Sequence, residues 1–314
     1  MADAKIKIMK ANLMLLMASA IWGFAFVAQK KGAEHLGPFA FNGIRFALGS
    51  LALVPVMKYF RGGENSVRNK TLSVGSALAA GLTAGLILFT AATLQQAGMT
   101  GTTAGKAGFI TGLYIVFVPI LGILLKHNIG FSTLAGVVMA TAGMYLLCVK
   151  DGLAISNSDG LVLLCAVFWS VHILAIDNFT KKIDALELSF IQLSTCSALS
   201  LAAALAVEST TLESVRLALI PLLYGGVCSV GIAYTLQIAG QKNARPSHAA
   251  IILSMEAVFA ALGGFIILDE KLGIRALFGC ALMLAGMLLP QIGNFGDDGP
   301  NVKSAQPRNK GKTI

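Results

Sequence analysis

The sequence predicts an all-α, polytopic membrane protein: ten transmembrane helices arranged as two inverted five-helix repeats. Three observations carry this. Of the 314 residues, 56% are hydrophobic and only 12% are charged, about half the charged share of an ordinary soluble domain, and the mean hydropathy is +0.76. Ten apolar runs follow one another, each of about 20 residues, the length a bilayer-spanning helix needs. The two halves of the chain also resemble each other. The first observation excludes a disordered chain, a coiled coil and an ordinary soluble enzyme, because too few charged residues remain to make a solvated surface. The 34 glycines fit the same class, since small residues let membrane helices approach closely.

The runs cover residues 11–29, 38–57, 71–94, 102–125, 131–149, 159–178, 185–206, 217–239, 247–268 and 274–292. Their breaks carry charges or Gly, Pro and Asn, as at Arg61-Gly62-Gly63-Glu64-Asn65 and Asn157-Ser158-Asp159. The short alternating segments of a membrane β-barrel are absent. The first run follows Lys5, Lys7 and Lys10 and resembles a signal peptide; nine more runs follow, so it reads as a retained helix.

Orientation follows from Lys and Arg, which favour cytoplasmic loops. With the N-terminus inside, the inside segments hold Lys5, Lys7, Lys10, Lys58, Arg61, Arg68, Lys70, Lys126, Lys181, Lys182, Lys242, Arg245, Lys303, Arg308, Lys310 and Lys312, sixteen in all. The outside loops hold six: Lys30, Lys31, Lys150, Arg216, Lys271 and Arg275. Both termini are therefore expected in the cytoplasm. The polar, Gly- and Pro-containing stretch 293–314 reads as a disordered cytoplasmic tail. The net charge of +9 does not point to nucleic acid, because the basic residues are scattered between apolar runs with no basic, aromatic-laced stripe. The expected partners are the lipid bilayer and a small-molecule substrate. Cys148, Cys165, Cys196, Cys228 and Cys280 each lie in an apolar run without a CxxC pair. They read as buried packing residues, with no disulfide, metal site or cofactor expected.

The internal repeat rests on two matches. Ala20-Ile21-Trp22-Gly23 aligns with Val167-Phe168-Trp169-Ser170. Leu134-Ala135-Gly136 through Ala142-Gly143-Met144 aligns with Leu277-Phe278-Gly279 through Ala285-Gly286-Met287. Residues 11–149 and 159–292 are the two repeats. Each holds five spans, an odd number, so the second copy enters the membrane in the opposite sense. Inverted repeats are a mark of alternating-access transporters, whose substrate site lies near the midplane at the repeat interface.

Three stretches extend the likeness. They are Ser19-Ala20-Ile21-Trp22-Gly23, the run from Thr103 through Lys106 and Tyr114 to Val118-Pro119, and Ser247-His248 through Ser254-Met255-Glu256, followed by Leu268-Asp269-Glu270-Lys271-Leu272. On these residues the chain resembles the bacterial drug/metabolite transporter superfamily, specifically the ten-helix permeases built of two EamA-type repeats. The resemblance covers about residues 11–292. It implies a permease of the bacterial inner membrane and tilts toward export of amino acids, other metabolites or drug-like amines. It also implies that the fourth span lines the central cavity. Similar members often carry Pro directly after the glutamate of the ninth span. Here that residue is Ala257, so no proline enforces a kink there.

An ionisable side chain in a bilayer is costly. Glu256 lies about ten residues into its span, roughly 15 Å deep at 1.5 Å per residue, and must pair, protonate or face water. It reads either as a substrate or proton site or as half of a structural pair. Arg45 shares a helix face with Asn42 (i, i+3). It could bind an anionic substrate group, balance Glu256, or snorkel to the outer interface. Lys106 is close enough to the outer end of its span to snorkel, although the family likeness keeps it with the cavity. His172 follows Trp169 on the same face and reads as a buried neutral histidine or a proton relay; His248 reads as interfacial. Gln192 is the repeat equivalent of Arg45. Trp22 and Trp169 are repeat mates deep inside their spans, away from the aromatic belts, and either line the cavity or pack. Tyr114 and Tyr234 are weaker candidates of the same kind.

The function expected is secondary transport of a small organic metabolite. No GxxxxGK[ST] loop occurs, so ATP does not drive it directly; Glu256 and His172 are the groups that could carry protons. A membrane-embedded enzyme would need an HExxH motif or a nucleophile with a nearby base. A channel would need a filter loop or rings of charge. Neither signature is present.

Overall fold

The structure is a computed structural model that describes residues 2–61, 74–102, 104–125, 129–148, 156–267 and 273–293. The tail expected beyond Gly293 and the Leu268–Leu272 stretch lie outside the described residues. The chain is helical throughout its described residues, with no strand. In order come α1 (Ala2–Ala33), α2 (Pro38–Arg61), α3 (Val74–Gly98), α4 (Ala104–Gly112), α5 (Tyr114–Leu124), α6 (Phe131–Cys148), α7 (Asn157–Phe179) and α8 (Ala185–Val207). There follow α9 (Leu212–Leu217), α10 (Leu219–Leu223), a π-helical stretch over Tyr224–Ala233, α11 (Tyr234–Gln241), α12 (Pro246–Leu253), α13 (Glu256–Ile267) and α14 (Ile274–Gly293). Among the described residues, eight helical stretches are long and apolar enough to cross a bilayer, and two more, Phe131–Leu146 and Ile274–Leu289, are apolar but shorter.

Local sequence sets the helix starts. Pro38 and Pro246 open α2 and α12, where a missing N–H costs nothing. Ser156 and Asp159 form a reciprocal capping box on α7, and the Asp184 carboxylate accepts from the Leu186 and Glu187 amides of α8. The N-terminus of α2 is capped from a distance. Glu208, just past α8, accepts from the amides of Phe39 (2.9 Å) and Ala40 (2.8 Å), which ties the C-terminal end of α8 to the N-terminal end of α2. Glu208→Ala should lower stability by about 1–2 kcal/mol, the usual worth of an N-cap. Glu213→Ala, which removes only an exposed ion pair with Arg216, should leave it unchanged. Thermal melting of the two purified variants checks this; equal melting would refute the capping role.

The surface is as apolar as the core. Large apolar side chains point outward, among them Leu205 (89% exposed), Phe131 (87%) and Ile220 (80%), while Asn42, Arg45, His172, Gln192, Gln237 and Glu256 are buried. Such a surface is solvated by lipid, and the polar groups turn inward because hydrocarbon offers them no partners. Of the cysteines, Cys165 and Cys196 are buried as expected, but Cys228 and Cys280 are only half-buried, since their helix faces turn partly outward. His248, expected at the interface, is buried as well, because α12 is enclosed by α1, α5, α6, α7 and α14.

The bundle centres on α1 and α7. α1 packs on α13, α11 and the π-helical stretch, and α7 on α3, α4 and α5; α2 lies along α8. α6 and α14 form the most extensive pair. Glycines set their separation: a Cβ on Gly143 would fall 2.6 Å from the Gly279 carbonyl oxygen, and one on Gly286 would fall 2.8 Å from that of Gly136. The four glycines matched between the two halves thus meet each other directly.

Two long apolar stretches are interrupted mid-way. α4 gives way to α5 at Leu113, where the ladder tightens to i→i+3 bonds (Leu113 N to Ile110 O, Val116 N to Leu113 O). α12 gives way to α13 at Ser254-Met255 by the same tightening (Met255 N to Ile252 O, Ala257 N to Ser254 O, Val258 N to Met255 O). Neither break contains a proline. The absence of Pro at 257 therefore does not leave the ninth stretch continuous.

Candidate functional site

The two interruptions meet at one cavity. Glu256 is the first residue of α13 and Tyr114 the first of α5. The Tyr114 hydroxyl sits beside the Glu256 carboxyl without a well-formed hydrogen bond to it. Around them lies a narrow cavity with about 480 Å³ of atom-free space, its open mouth included. Its lining comes from both halves of the chain: Trp22, Phe26 and Gln29 from α1, Arg45 from α2, Gln95 from α3, Thr111 and Tyr114 from α4 and α5, Trp169 and Ile173 from α7, and Ser229, Tyr234, Gln237, Leu253 and Glu256 from later elements.

One wall is aromatic. The Tyr234 ring lies 5.0 Å from Trp22, edge-on, and 6.0 Å from Trp169, nearly parallel to it; the two indoles are 6.5 Å apart. The Trp22 indole N–H donates to the Ser229 carbonyl at 3.0 Å. The π-helical stretch that holds Ser229 widens the backbone here. Such stretches are rare and concentrate at functional sites.

The polar groups are placed by their own helices. Arg45 does not snorkel. It is buried, its Nε donates to Asn42 Oδ1 at 2.9 Å, and its guanidinium carbon lies 5.0 Å from the Phe46 ring centre and 5.4 Å from that of Phe41. Arg45 and Glu256 form no ion pair with each other, and neither has another charged partner among the described residues. Gln95 donates to the Thr111 hydroxyl at 3.2 Å. The Oε1 atoms of Gln29, Gln237 and Glu256 are buried and accept no hydrogen bond.

Of the residues singled out from sequence, Trp22, Arg45, Tyr114, Trp169 and Glu256 share this cavity, with Tyr234 beside them. Three stand behind its wall instead. Asn42 holds Arg45. His172 hydrogen-bonds Gln192 at 2.9 Å and sets its ring edge-on to Trp169 (5.7 Å) and Tyr234 (6.4 Å). An amide oxygen only accepts, so the imidazole Nε2 carries the proton in this pair. Gln192 therefore backs the aromatic wall rather than matching Arg45 from the other side. Lys106 falls on α4, but its side chain lies outside the described residues. Sequence reading missed Gln29, Gln95, Thr111 and Gln237. Three amides near the ends of the first, third and eighth apolar runs were the available signal.

A bundle with an apolar exterior and a cavity lined by buried polar and charged side chains among its helices defines a multi-pass membrane protein. The EamA-like transporter family model matches the chain twice, over residues 9–149 and 157–290. An uncharacterized transporter of Archaeoglobus fulgidus is 31% identical over 286 residues, 90% of this chain and 86% of its own length. The uncharacterized transporter YoaV of Bacillus subtilis is 23% identical, with 89% and 96% covered. A solved crystal structure shares the fold with a TM-score of 0.73 at 19% identity, covering 90% of this chain and 96% of that one. The chain belongs to the EamA-like transporter family of the drug/metabolite transporter superfamily.

Proposed function

We propose that the protein is a secondary transporter that exports a small organic metabolite, an amino acid, a related metabolite or a drug-like amine, across the inner membrane by alternating access. The observation that carries this is the cavity itself: oppositely charged, unpaired Arg45 and Glu256 buried among helices of both halves, at the point where two helices break. Interrupted helices around a midplane site are the recurring construction of alternating-access carriers. The test compares solutes in the medium of cells with and without the protein. A metabolite enriched outside only when the protein is present is the expected result. Identical media, or a chemical product formed in sealed vesicles, would overturn the reading.

The architecture proposed is two inverted five-helix repeats, residues 11–149 and 159–292, giving ten crossings. The packing supports it, because contacts recur in matched pairs. α1 packs on the π-helical stretch and α11 as α7 packs on α3, and α1 packs on α13 as α7 packs on α5. The repeat equivalents α2 with α8 and α6 with α14 pack on each other, an arrangement that a two-fold axis between them produces. The double family match supports the same division. Both termini are then cytoplasmic, in line with the Lys and Arg distribution. A C-terminal reporter should be active only on the cytoplasmic side; activity confined to the outer side would refute the orientation.

A further inference from the structure

The cavity holds two formal charges of opposite sign that do not neutralise each other. Arg45 and Glu256 both line it, each is at least nine-tenths buried, and no ion pair joins them. Tyr234 stands close to both charges. A buried charge without a counter-charge is costly, so the cavity presents two such sites, one at each side chain. In the same cavity the unbonded Oε1 atoms of Gln29 and Gln237 are neutral acceptors, and the indole and phenol rings of Trp22, Trp169 and Tyr234 suit a cation. Among the described residues Arg45 has Asn42 as its one hydrogen-bond partner and presents donors, which suit a carboxylate or similar anion.

Resting on the transporter reading above, we propose that the substrate is a zwitterion: its ammonium is held by Glu256 and its anionic group by Arg45. A plain amine would leave Arg45 unneutralised and would enter a low-dielectric cavity already carrying a fixed positive charge. A plain acid would meet the mirror problem at Glu256. A ligand with both groups neutralises both charges and brings no net charge into the membrane. The narrow volume and aromatic wall set the rest of the specificity, for a small body with an apolar portion.

The test uses the purified full-length protein in detergent and in proteoliposomes. The probes are the common α-amino acids and glycine betaine. Each amino acid is compared with the amine lacking its carboxylate and the acid lacking its amino group. At least one zwitterion should raise the melting temperature, with both truncated analogues bound roughly ten- to hundredfold more weakly, the worth of one charge-assisted contact. Arg45→Gln should erase the preference over the amine alone, Glu256→Gln the preference over the acid alone, and Arg45→Lys should restore part of the first. A set in which the amine or acid binds as well as the zwitterion, or no zwitterion binds at all, overturns the assignment. If the medium comparison still finds an exported solute, the transporter reading survives that result; if it finds none, both fall. Should Arg45→Gln fail to fold, the wild-type comparison of the three probe classes decides alone.

Discussion

Glu256→Gln should cut transport by about ten- to a thousandfold while the protein still folds and inserts. The substitution keeps the shape and one acceptor oxygen but removes the carboxylate. The surroundings of Glu256 do not need that charge for packing: it has no ion-pair partner, its Oε1 accepts no hydrogen bond, and its neighbours are the Tyr114 hydroxyl, an aromatic wall and neutral amides. A buried carboxylate without a partner lowers stability in most settings. The neutral amide should therefore melt at the wild-type temperature or slightly above it. On the proposed reading, a group that costs stability and yet stands at the meeting of two broken helices serves the substrate rather than the fold. Initial rates in proteoliposomes, measured across a range of pH and set beside melting curves of the same preparations, separate the possibilities. A variant that misfolds or fails to accumulate would assign Glu256 to structure. One that transports at the wild-type rate over the whole pH range would remove it from the site.

Arg45 and Glu256 were legible in the sequence because an ionisable residue inside an apolar run is conspicuous and costly wherever the helix turns it. The helical class, the number of apolar runs and the position of most breaks were legible for the same reason: membrane helices are long and uninterrupted in composition. The amides Gln29, Gln95 and Gln237 were harder. Neutral side chains near a span end carry little penalty: Gln29 is the last residue of the first run, and α3 runs on past residue 94 to Gly98, which draws Gln95 into the bundle. The interruptions at Leu113 and Ser254-Met255 contain neither proline nor charge, so no local residue announces them; tertiary packing of the half-helices decides them. The π-helical stretch over Tyr224–Ala233 likewise has the composition of an α-helix. The link between His172 and Gln192 joins residues on two different helices, and only the fold could supply it.

Gly23→Leu should prevent the protein from accumulating in the membrane or lower its melting temperature more than any other single change considered. Gly23 lies where α1 crosses α13. A Cβ at that position would fall 2.7 Å from the Glu256 carbonyl oxygen and 2.8 Å from the Ala260 amide nitrogen, and against the Phe259 side chain. Two of these three are backbone atoms inside a helix, so no rotamer change clears them. The helices must separate, and membrane helix pairs depend on close packing because lipid offers no hydrophobic drive toward association. Overpacking by a few methylenes costs about 1–3 kcal/mol where side chains can give way, and a backbone obstruction costs more. The damage also reaches the cavity. Trp22 is the preceding residue, and its bond to Ser229 and contact with Tyr234 depend on where α1 sits; Glu256 supplies one of the obstructed atoms. Gly23→Ala should show the same defect in milder form. Gly160→Ala is the control: a Cβ there meets no atom within 4 Å, and its effect should stay within about 0.5 kcal/mol. Expression level, melting temperature and transport rate of the three variants decide the matter; Gly23→Leu behaving like Gly160→Ala would mean that α1 and α13 do not cross at this glycine.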